Sequence, residues 1–368
     1  MLTVTVTFRR FTTETSLPFP RERKGLCDRQ WGDMAVRLKD IARDLGISVI
    51  TASKALRGAK DISEDTRQRV LKRMQELNYR PNMMARGLAK GRSFLVGLVV
   101  PDLLHPFFAE FAKSLNGVLR QQNYGIFLAS SEEDPEIERQ EIRQVLARGV
   151  DALLIASCQR TLEGFYGMED QRTPFILVDR DFPHLRANFV GTDDVMVGRL
   201  AATHLVEAGR KRIAHIAGPE LSTGADRLFG YRDVMRRNGL DVPESYVIHN
   251  SKVEELGEAA GYQGMQNLLA LDPRPDGVFC YNDLMAIGAM HATLEAGLTI
   301  PQDIAFIGCG NVRYSEYLRI PLSSIDQSTA RLGEQAGMLA LELIQNRDAA
   351  PSKKLLEPAV IVRASSRV

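Results

Sequence analysis

The stretch LKDIARDLGISVITASKALRG, Leu38 to Gly58, decides how the rest of the chain is read. Leu38, Ile41, Ala42 and Leu45 recur at helical spacing, and Gly46 ends the run, since glycine enters the left-handed conformation of a helix end at little cost. Ser48 then offers an N-cap oxygen to a second short helix carrying Ile50, Ala52, Ala55 and Leu56, which Gly58 closes. Downstream, ISEDTRQRVLKRMQELNY opens at Ser63, with Glu64 and Asp65 in its acid-favouring first turn. Its apolar face is Val70, Leu71, Met74 and Leu77, and Pro81 breaks it. Three short helices with a tight glycine turn between the first two make a helix-turn-helix, whose second helix is small enough to lie in the major groove. The exposed start of that helix is Ser48, Val49, Ile50, Thr51, Ser53 and Lys54. Thr51, Ser53 and Lys54 can bond phosphates or base edges, whereas Val49 and Ile50 offer only apolar contact, for example to a thymine methyl. Ile50 can equally belong to the core of the head itself, and spacing alone does not choose.

Charge supports a polyanion partner. Residues 34–93 hold 14 Lys+Arg against 6 Asp+Glu, a net of +8. Residues 1–33 add +2, so of a total of +1 the remaining 94–368 carry −9. A basic block on an acidic body is the footprint of a nucleic-acid-binding head, or else a solvated basic helix pair, and charge alone does not choose between them. The 368 residues suffice for two or three domains at roughly 100–200 residues each. No run approaches the ~18 apolar residues of a membrane span, and residues 1–33 contain no continuous apolar segment of a secretory signal. Cys27, Cys158, Cys280 and Cys309 are scattered without a CxxC pair, which fits a reducing cytoplasm. They give no metal site, and the sequence carries no dinucleotide, P-loop, zinc-protease or serine-hydrolase motif, so neither cofactor nor enzymatic activity is expected. Residues 1–33, with Pro18 and Pro20 and no sustained period, read as a disordered extension, with Met34 as a candidate start of the functional chain.

A different rhythm begins at Phe94. FLVGLVV, YGIFLAS, DALLIAS, PFILVD, RIAHIAG, DGVFCY and DIAFIG are short apolar runs, most of them separated by amphipathic helical stretches such as PEIERQEIRQVLARG. Uniformly apolar strands alternating with helices mean parallel sheets covered on both faces. The units are too many for one compact sheet and the pattern restarts near FVGTDD, which gives two βαβ subdomains. Ligands of such sheets bind at the carboxyl ends of the strands, where the loops read PDLLHPFF, SSEED, VDRDF, GPELSTGADR, YNDLMA, GCGNVR and SIDQ. That mixture of aromatic rings with Asp, Arg and Asn suits the apolar faces and hydroxyls of a sugar.

The segment RLKDIARDLGISVITASKALRG…ISEDTRQRVLKRMQELNYRPNMMARGLAKGRS resembles the DNA-binding head of the lactose-repressor (LacI) family of bacterial regulators, and the resemblance runs from about residue 37 to the end. It implies that Ser48, Val49, Ile50, Thr51, Ser53, Lys54, Arg57, Asn82 and Arg86 contact operator DNA, with Val49 and Ile50 at the positions that choose the operator. It also implies that NMMARGLAKG is a hinge helix formed on DNA, with Leu88 as the wedge in the minor groove. The residues agree: with Gly87 inside it and Pro81 and Gly91 around it, the segment is marginal as a free helix, and an inserted leucine kinks a duplex. The alternative is that Leu88 packs within a linker.

The body is similar to periplasmic sugar-binding proteins, ribose binders in particular. That likeness implies an effector site at His105, the ring pair Phe107 and Phe108, Asp179 and Arg180 in VDRDF, Thr223 and Arg227 in TGADR, Asn282 in YND and Gln327 in SIDQ. Each has a plainer alternative: core rings for Phe107 and Phe108, a structural ion pair for Asp179 with Arg180, an N-cap for Asn282. Gly310 in GCGN stands where relatives carry an aspartate, which leaves room for a bulkier or acidic sugar derivative. Leu221 stands where purine sensors carry an arginine, which argues against a purine.

The expected architecture is α/β: an extension, 1–33; a helix-turn-helix head, 34–81; a hinge helix and linker, 82–93; and a periplasmic-binding-protein-like body with parallel sheets, 94–368. The body divides into an N-subdomain, about 94–192 and 328–347, and a C-subdomain, about 193–326 and 353–368, with crossovers near Thr192, Gln327 and residues 350–353. The expected function is a cytoplasmic, homodimeric transcriptional repressor of carbohydrate-utilisation genes. It binds double-stranded operator DNA, and a small-molecule effector, a sugar or sugar derivative, alters that grip. The alternative is a cytoplasmic sugar-binding protein without a DNA role.

Overall fold

The computed structural model describes residues 36–56, 58–79, 91–165, 173–182, 184–250, 256–347 and 349–367. The chain divides into a unit of residues 1–82 and a unit of residues 83–368. The extension 1–33, together with Arg57, Asn82, Arg86 and Leu88, lies outside the described residues.

The first unit consists of α1 (Leu38–Asp44), α2 (Val49–Leu56) and α3 (Glu64–Glu76). Ile41, Ala42, Ala52, Ala55 and Val70 are its buried centre. So small a core needs polar fasteners. Arg73 of α3 donates to Asp44 at the end of α1 at 2.7 Å and also pairs with Glu76 at 2.9 Å. Ser48 Oγ accepts from the Thr51 amide at 3.0 Å and Ser63 Oγ from the Thr66 amide at 3.3 Å, caps of about 1 kcal/mol each. Ile50 is 69% exposed and Val49 46%, so the open question about Ile50 resolves against the core.

The second unit contains two six-stranded sheets. In the first, β1 (Leu95–Val100), β2 (Gly125–Ser130), β3 (Ala152–Ile155), β4 (Phe175–Val178), β5 (Asn188–Thr192) and β11 (Lys353–Leu356) lie in the order β11-β5-β4-β3-β1-β2, all parallel. Val96, Leu98 and Val100 of β1 join the core beneath α4 (Pro106–Gln121) and α10 (Thr329–Gln345), while Val99 joins the opposite core beneath α5 (Pro135–Ala147). This is the period of two that a sheet covered on both faces requires.

The second sheet has the order β12-β10-β9-β8-β6-β7, built from β6 (Ile213–Ile216), β7 (Val247–Ile248), β8 (Gly277–Cys280), β9 (Ala305–Cys309), β10 (Ser323–Asp326) and β12 (Ala359–Ile361). Helices α6 (Asp194–Glu207) and α7 (Ser222–Arg237) cover one face, and α8 (Gly257–Leu269) and α9 (Asp283–Glu295) the other. Cys280 and Cys309 are buried in these cores as free thiols. Burial pushes the Cys309 thiol up to about 12, which makes it inert. Among the described residues no helix is long and apolar enough to cross a membrane.

Two expectations change. The chain returns to the first sheet after α10, so 353–356 belong there as β11, and the third crossover is Glu357–Pro358 rather than 350–353. The second sheet is not wholly parallel, because β12 pairs antiparallel with β10, Ser324 facing Ile361. The cause is topological: β10 leaves the sheet at the crossover end and β12 enters at that same end, so the two run oppositely.

The close approach of α6 to α7 fixes the geometry used below. A Cβ on Gly198 would sit 2.0 Å from the Arg227 carbonyl oxygen, and one on Gly230 would sit 2.1 Å from that of Val195. Gly198→Ala is therefore expected to cost about 1–3 kcal/mol in chemical denaturation, against the helix propensity it gains. Gly117→Ala in α4, where a Cβ meets nothing within 4 Å, is expected to be neutral or to stabilise by up to ~1 kcal/mol. Equal effects of the two would refute the close approach.

Candidate functional site

The head presents one surface of interest, the start of α2. Ser48 caps it and also bonds the Thr51 hydroxyl at 2.8 Å, which holds both hydroxyls at the helix entry. Val49 and Ile50 project beside them. Lys54, one turn on, pairs with Asp61 of the following loop, and Ser53 is half-buried. The start of α2 thus offers two hydroxyls and two bare apolar side chains, a surface able to touch base edges and methyl groups.

The second candidate site lies where the chain passes between the two sheets. His105 is the N-cap of α4, and its Nδ1 accepts from the Phe107 amide at 3.3 Å. Asn282 is the N-cap of α9, and its Oδ1 accepts from the Met285 amide at 2.9 Å. These two caps come from different subdomains, yet Asn282 Nδ2 lies 3.4 Å from His105 Nε2. The two caps thus meet across the boundary between the subdomains.

Arg227 of α7 is buried with its guanidinium over the Tyr281 ring at 4.5 Å. Nε donates to Asp194 Oδ1 at 2.7 Å and Nη1 to the Tyr281 carbonyl at 2.8 Å. Burial raises the Asp194 carboxyl, against the pull of that guanidinium. The neighbouring acids, Asp194 and Asp179 among them, in turn hold Arg227 firmly protonated against its own burial. Arg180, at the end of β4, lies 3.8 Å from both Glu133 and Asp179 and donates to the Ser157 carbonyl at 3.2 Å. The structural-pair alternative for Asp179 and Arg180 is thus present in the geometry. Thr223 bonds the Tyr281 hydroxyl at 2.9 Å and is fully buried. Gln327 reaches Thr192 at 3.5 Å, joining two of the three crossovers. Phe107 and Phe108 meet edge to face at 5.1 Å and are both buried in the core under the first sheet.

Three participants were not legible in the sequence. Ser222 accepts from the Asp181 amide at 2.8 Å, a second bond between the subdomains. Tyr281 supplies the ring and the carbonyl that seat Arg227. Asp194 resembles an ordinary first-turn acid beside the true cap Asp193, and only the α6–α7 crossing brings it to a residue 33 positions away. Gly310 adopts φ +119, a conformation that side chains rarely enter, so the loop is built around glycine rather than around a lost aspartate. Asp283 fastens that loop: its carboxylate accepts from the Val312 amide at 2.8 Å and the Ser315 hydroxyl at 3.0 Å, and from Ser324 at 2.6 Å. Asp283→Ala leaves three donors unanswered. It is expected to speed hydrogen exchange at the Val312 amide by at least tenfold, on the scale of ~1–3 kcal/mol per lost bond. Unchanged protection would show that the loop is held by something else.

Residues 37–82 match bacterial regulatory proteins of the lacI family, and residues 202–366 match a periplasmic binding protein-like domain. The HTH-type transcriptional repressor CytR of Escherichia coli (strain K12) is 30% identical over 338 residues, covering 91% of this chain and 97% of CytR. Among solved structures, the lac repressor dimer bound to operator and the anti-inducer ONPF is 25% identical with a TM-score of 0.80, covering 91% of this chain and 100% of that one. The transcriptional regulator CelR in complex with cellobiose is 28% identical with a TM-score of 0.67, covering 90% and 99%.

Proposed function

This chain belongs to the lacI family of bacterial regulatory proteins, as a ligand-responsive DNA-binding repressor rather than an enzyme, and we propose that its ligand is a sugar or sugar derivative bound at the crossovers. It works in the cytoplasm as a homodimer on a roughly palindromic operator, since two heads are needed for two half-sites. The observation that supports the ligand half is the contact of His105 with Asn282, the N-caps of two helices from opposite subdomains, at the strand ends where ligands of such sheets bind. A sugar held there ties the subdomains together, with Arg227 fixed on Asp194 and Gln327 on Thr192 nearby in the chain crossings. The CelR complex contains such a ligand, which supports the reading. A ligand shifts the protein only through its difference in affinity for the two arrangements of the subdomains. DNA contact falls to Ser48, Val49, Ile50, Thr51, Ser53, Lys54, Arg57, Asn82 and Arg86, with Leu88 as the minor-groove wedge. A sugar-binding protein without a DNA role has no use for two bare apolar side chains at the start of a helix.

The test is selection of an operator from random duplexes by the full chain, followed by titration with pentoses, hexoses and disaccharides. At least one sugar is expected to shift operator affinity tenfold or more, and no response to any of them would overturn the effector reading. Ile50→Ala is expected to weaken the selected operator about fourfold, the ~0.8 kcal/mol of one buried methyl. Replacing the contacted thymine by uracil is expected to cost the same and to add nothing in the variant. Full additivity would remove Ile50 from base readout.

A further inference from the structure

The three crossovers differ in how completely their backbone is tied. At the first, Asp193 is extended and caps α6, its carboxylate accepting from the Met196 amide at 2.9 Å. At the third, Pro358 has its φ fixed by its own ring. The second is different. Asp326 is the last residue of β10, in register with Ala359 of β12, and Thr329 is the first of α10. A Cβ on Gly333 of α10 would sit 2.5 Å from the Phe111 carbonyl oxygen, so that helix lies pressed against α4 in the first subdomain. Only Gln327 and Ser328 stand between a strand of one subdomain and a helix of the other.

Serine is among the residue types that best cap a helix, but it does so from an extended backbone, its hydroxyl accepting from an amide of the first turn. Ser328 occupies the N-cap position of α10 with φ 54° and ψ 46°, left-handed, and its side chain caps nothing. Asp326 holds it there, accepting from the Ser328 amide at 2.8 Å. The next side chain is unmet as well: Thr329 is 4% exposed, and its hydroxyl is without a hydrogen-bond partner among the described residues. A left-handed backbone costs a residue with a side chain free energy, and an unmet buried hydroxyl adds to that cost. We infer that Ser328 is a two-position switch between the subdomains, left-handed and tied to Asp326 in the arrangement seen here, extended and capping α10 in the other. Turning Ser328 from one to the other redirects the chain between β10 and α10, so the cap forms only as the subdomains move. Ser328 is thereby a positioning residue that sets the balance on which a ligand acts. Of the reading above, the switch requires only that the subdomains have two arrangements, whatever the chemistry of the ligand.

Two substitutions at this one position pull the switch opposite ways. Ser328→Gly removes the left-handed penalty and has no side chain to cap with, so it favours the arrangement seen here. Ser328→Thr keeps a capping hydroxyl, but a β-branched side chain rarely enters the left-handed region, so it favours the other. With the full chain and the operator duplex selected above, the two variants are expected to differ at least about tenfold in operator affinity, with the unaltered chain inside the interval they bound. Hydrogen exchange of the amides of residues 329–331 is expected to be slower in Ser328→Thr than in Ser328→Gly, because the cap engages an amide there. Asp326→Ala, which removes the acceptor holding Ser328, is expected on the threonine side in both measurements, and it serves as the second variant should threonine disturb folding. Equal exchange in the glycine and threonine variants, or Asp326→Ala falling on the glycine side, overturns the switch. Different exchange with equal operator affinity overturns its control of the grip on DNA. Exchange needs neither DNA nor ligand, so it judges the switch even where no sugar alters operator binding, and failure of the sugar reading is told apart from failure of the switch.

Discussion

The mutual approach of α6 and α7 is the constraint on which the ligand-binding end of this molecule depends. Gly198 and Gly230 let each helix lie against a backbone carbonyl of the other. That spacing sets the first turn of α6, with Asp194, beside Arg227. The two side chains form a buried ion pair. Such pairs are seldom retained for stability, since an apolar replacement of equal volume often holds a core as well or better. Here the pair immobilises a planar fork of donors at the place where the chain first crosses between sheets. The fork is held by a ring, a carbonyl and a carboxylate, so it pays no rotamer entropy when a ligand arrives.

The head and body divide the electrostatic work. A net of +8 over residues 34–93 draws the chain to phosphates, while −9 over the rest keeps the large body from competing for the same polymer. The same division appears in how each part is held together. The head has a handful of buried residues, and ion pairs such as Arg73 with Asp44 supplement them. The body has two apolar clusters around each sheet.

What the sequence made legible follows from locality. Caps, glycine stops and helical spacing lie within a few residues of one another, so α1 to α3 were readable. Continuous apolar runs such as FLVGLVV and DIAFIG carry their own signal, so the central strands were readable too. The edge strands β7 and β11 were not: β7 is two residues long, and β11 reads KKLL because one of its sides faces solvent. Of the expected site residues, His105 and Asn282 meet as helix caps, Gln327 lies at a crossover, Arg227 pairs with Asp194, and Phe107 and Phe108 lie in the core beneath the first sheet. Ile50 shows the limit most clearly, because helical spacing is the same whether its methyl groups face the core or the solvent. Asp194 was invisible for a different reason: its partner is 33 residues away and is reached only through the packing of two helices.

The return of the chain to the first sheet has a consequence for synthesis. The first sheet lacks its edge strand β11 and its covering helix α10 until residue 356 has been made, by which time nearly all of the second sheet exists. A ribosome therefore releases a nearly complete second lobe while β5, with its wholly buried sequence, still presents an open edge and a bare face. Nascent chains of this protein carry an adhesive strand for most of their emergence. A message truncated just before Lys353 yields a polypeptide with both lobes begun and the edge of β5 still uncovered.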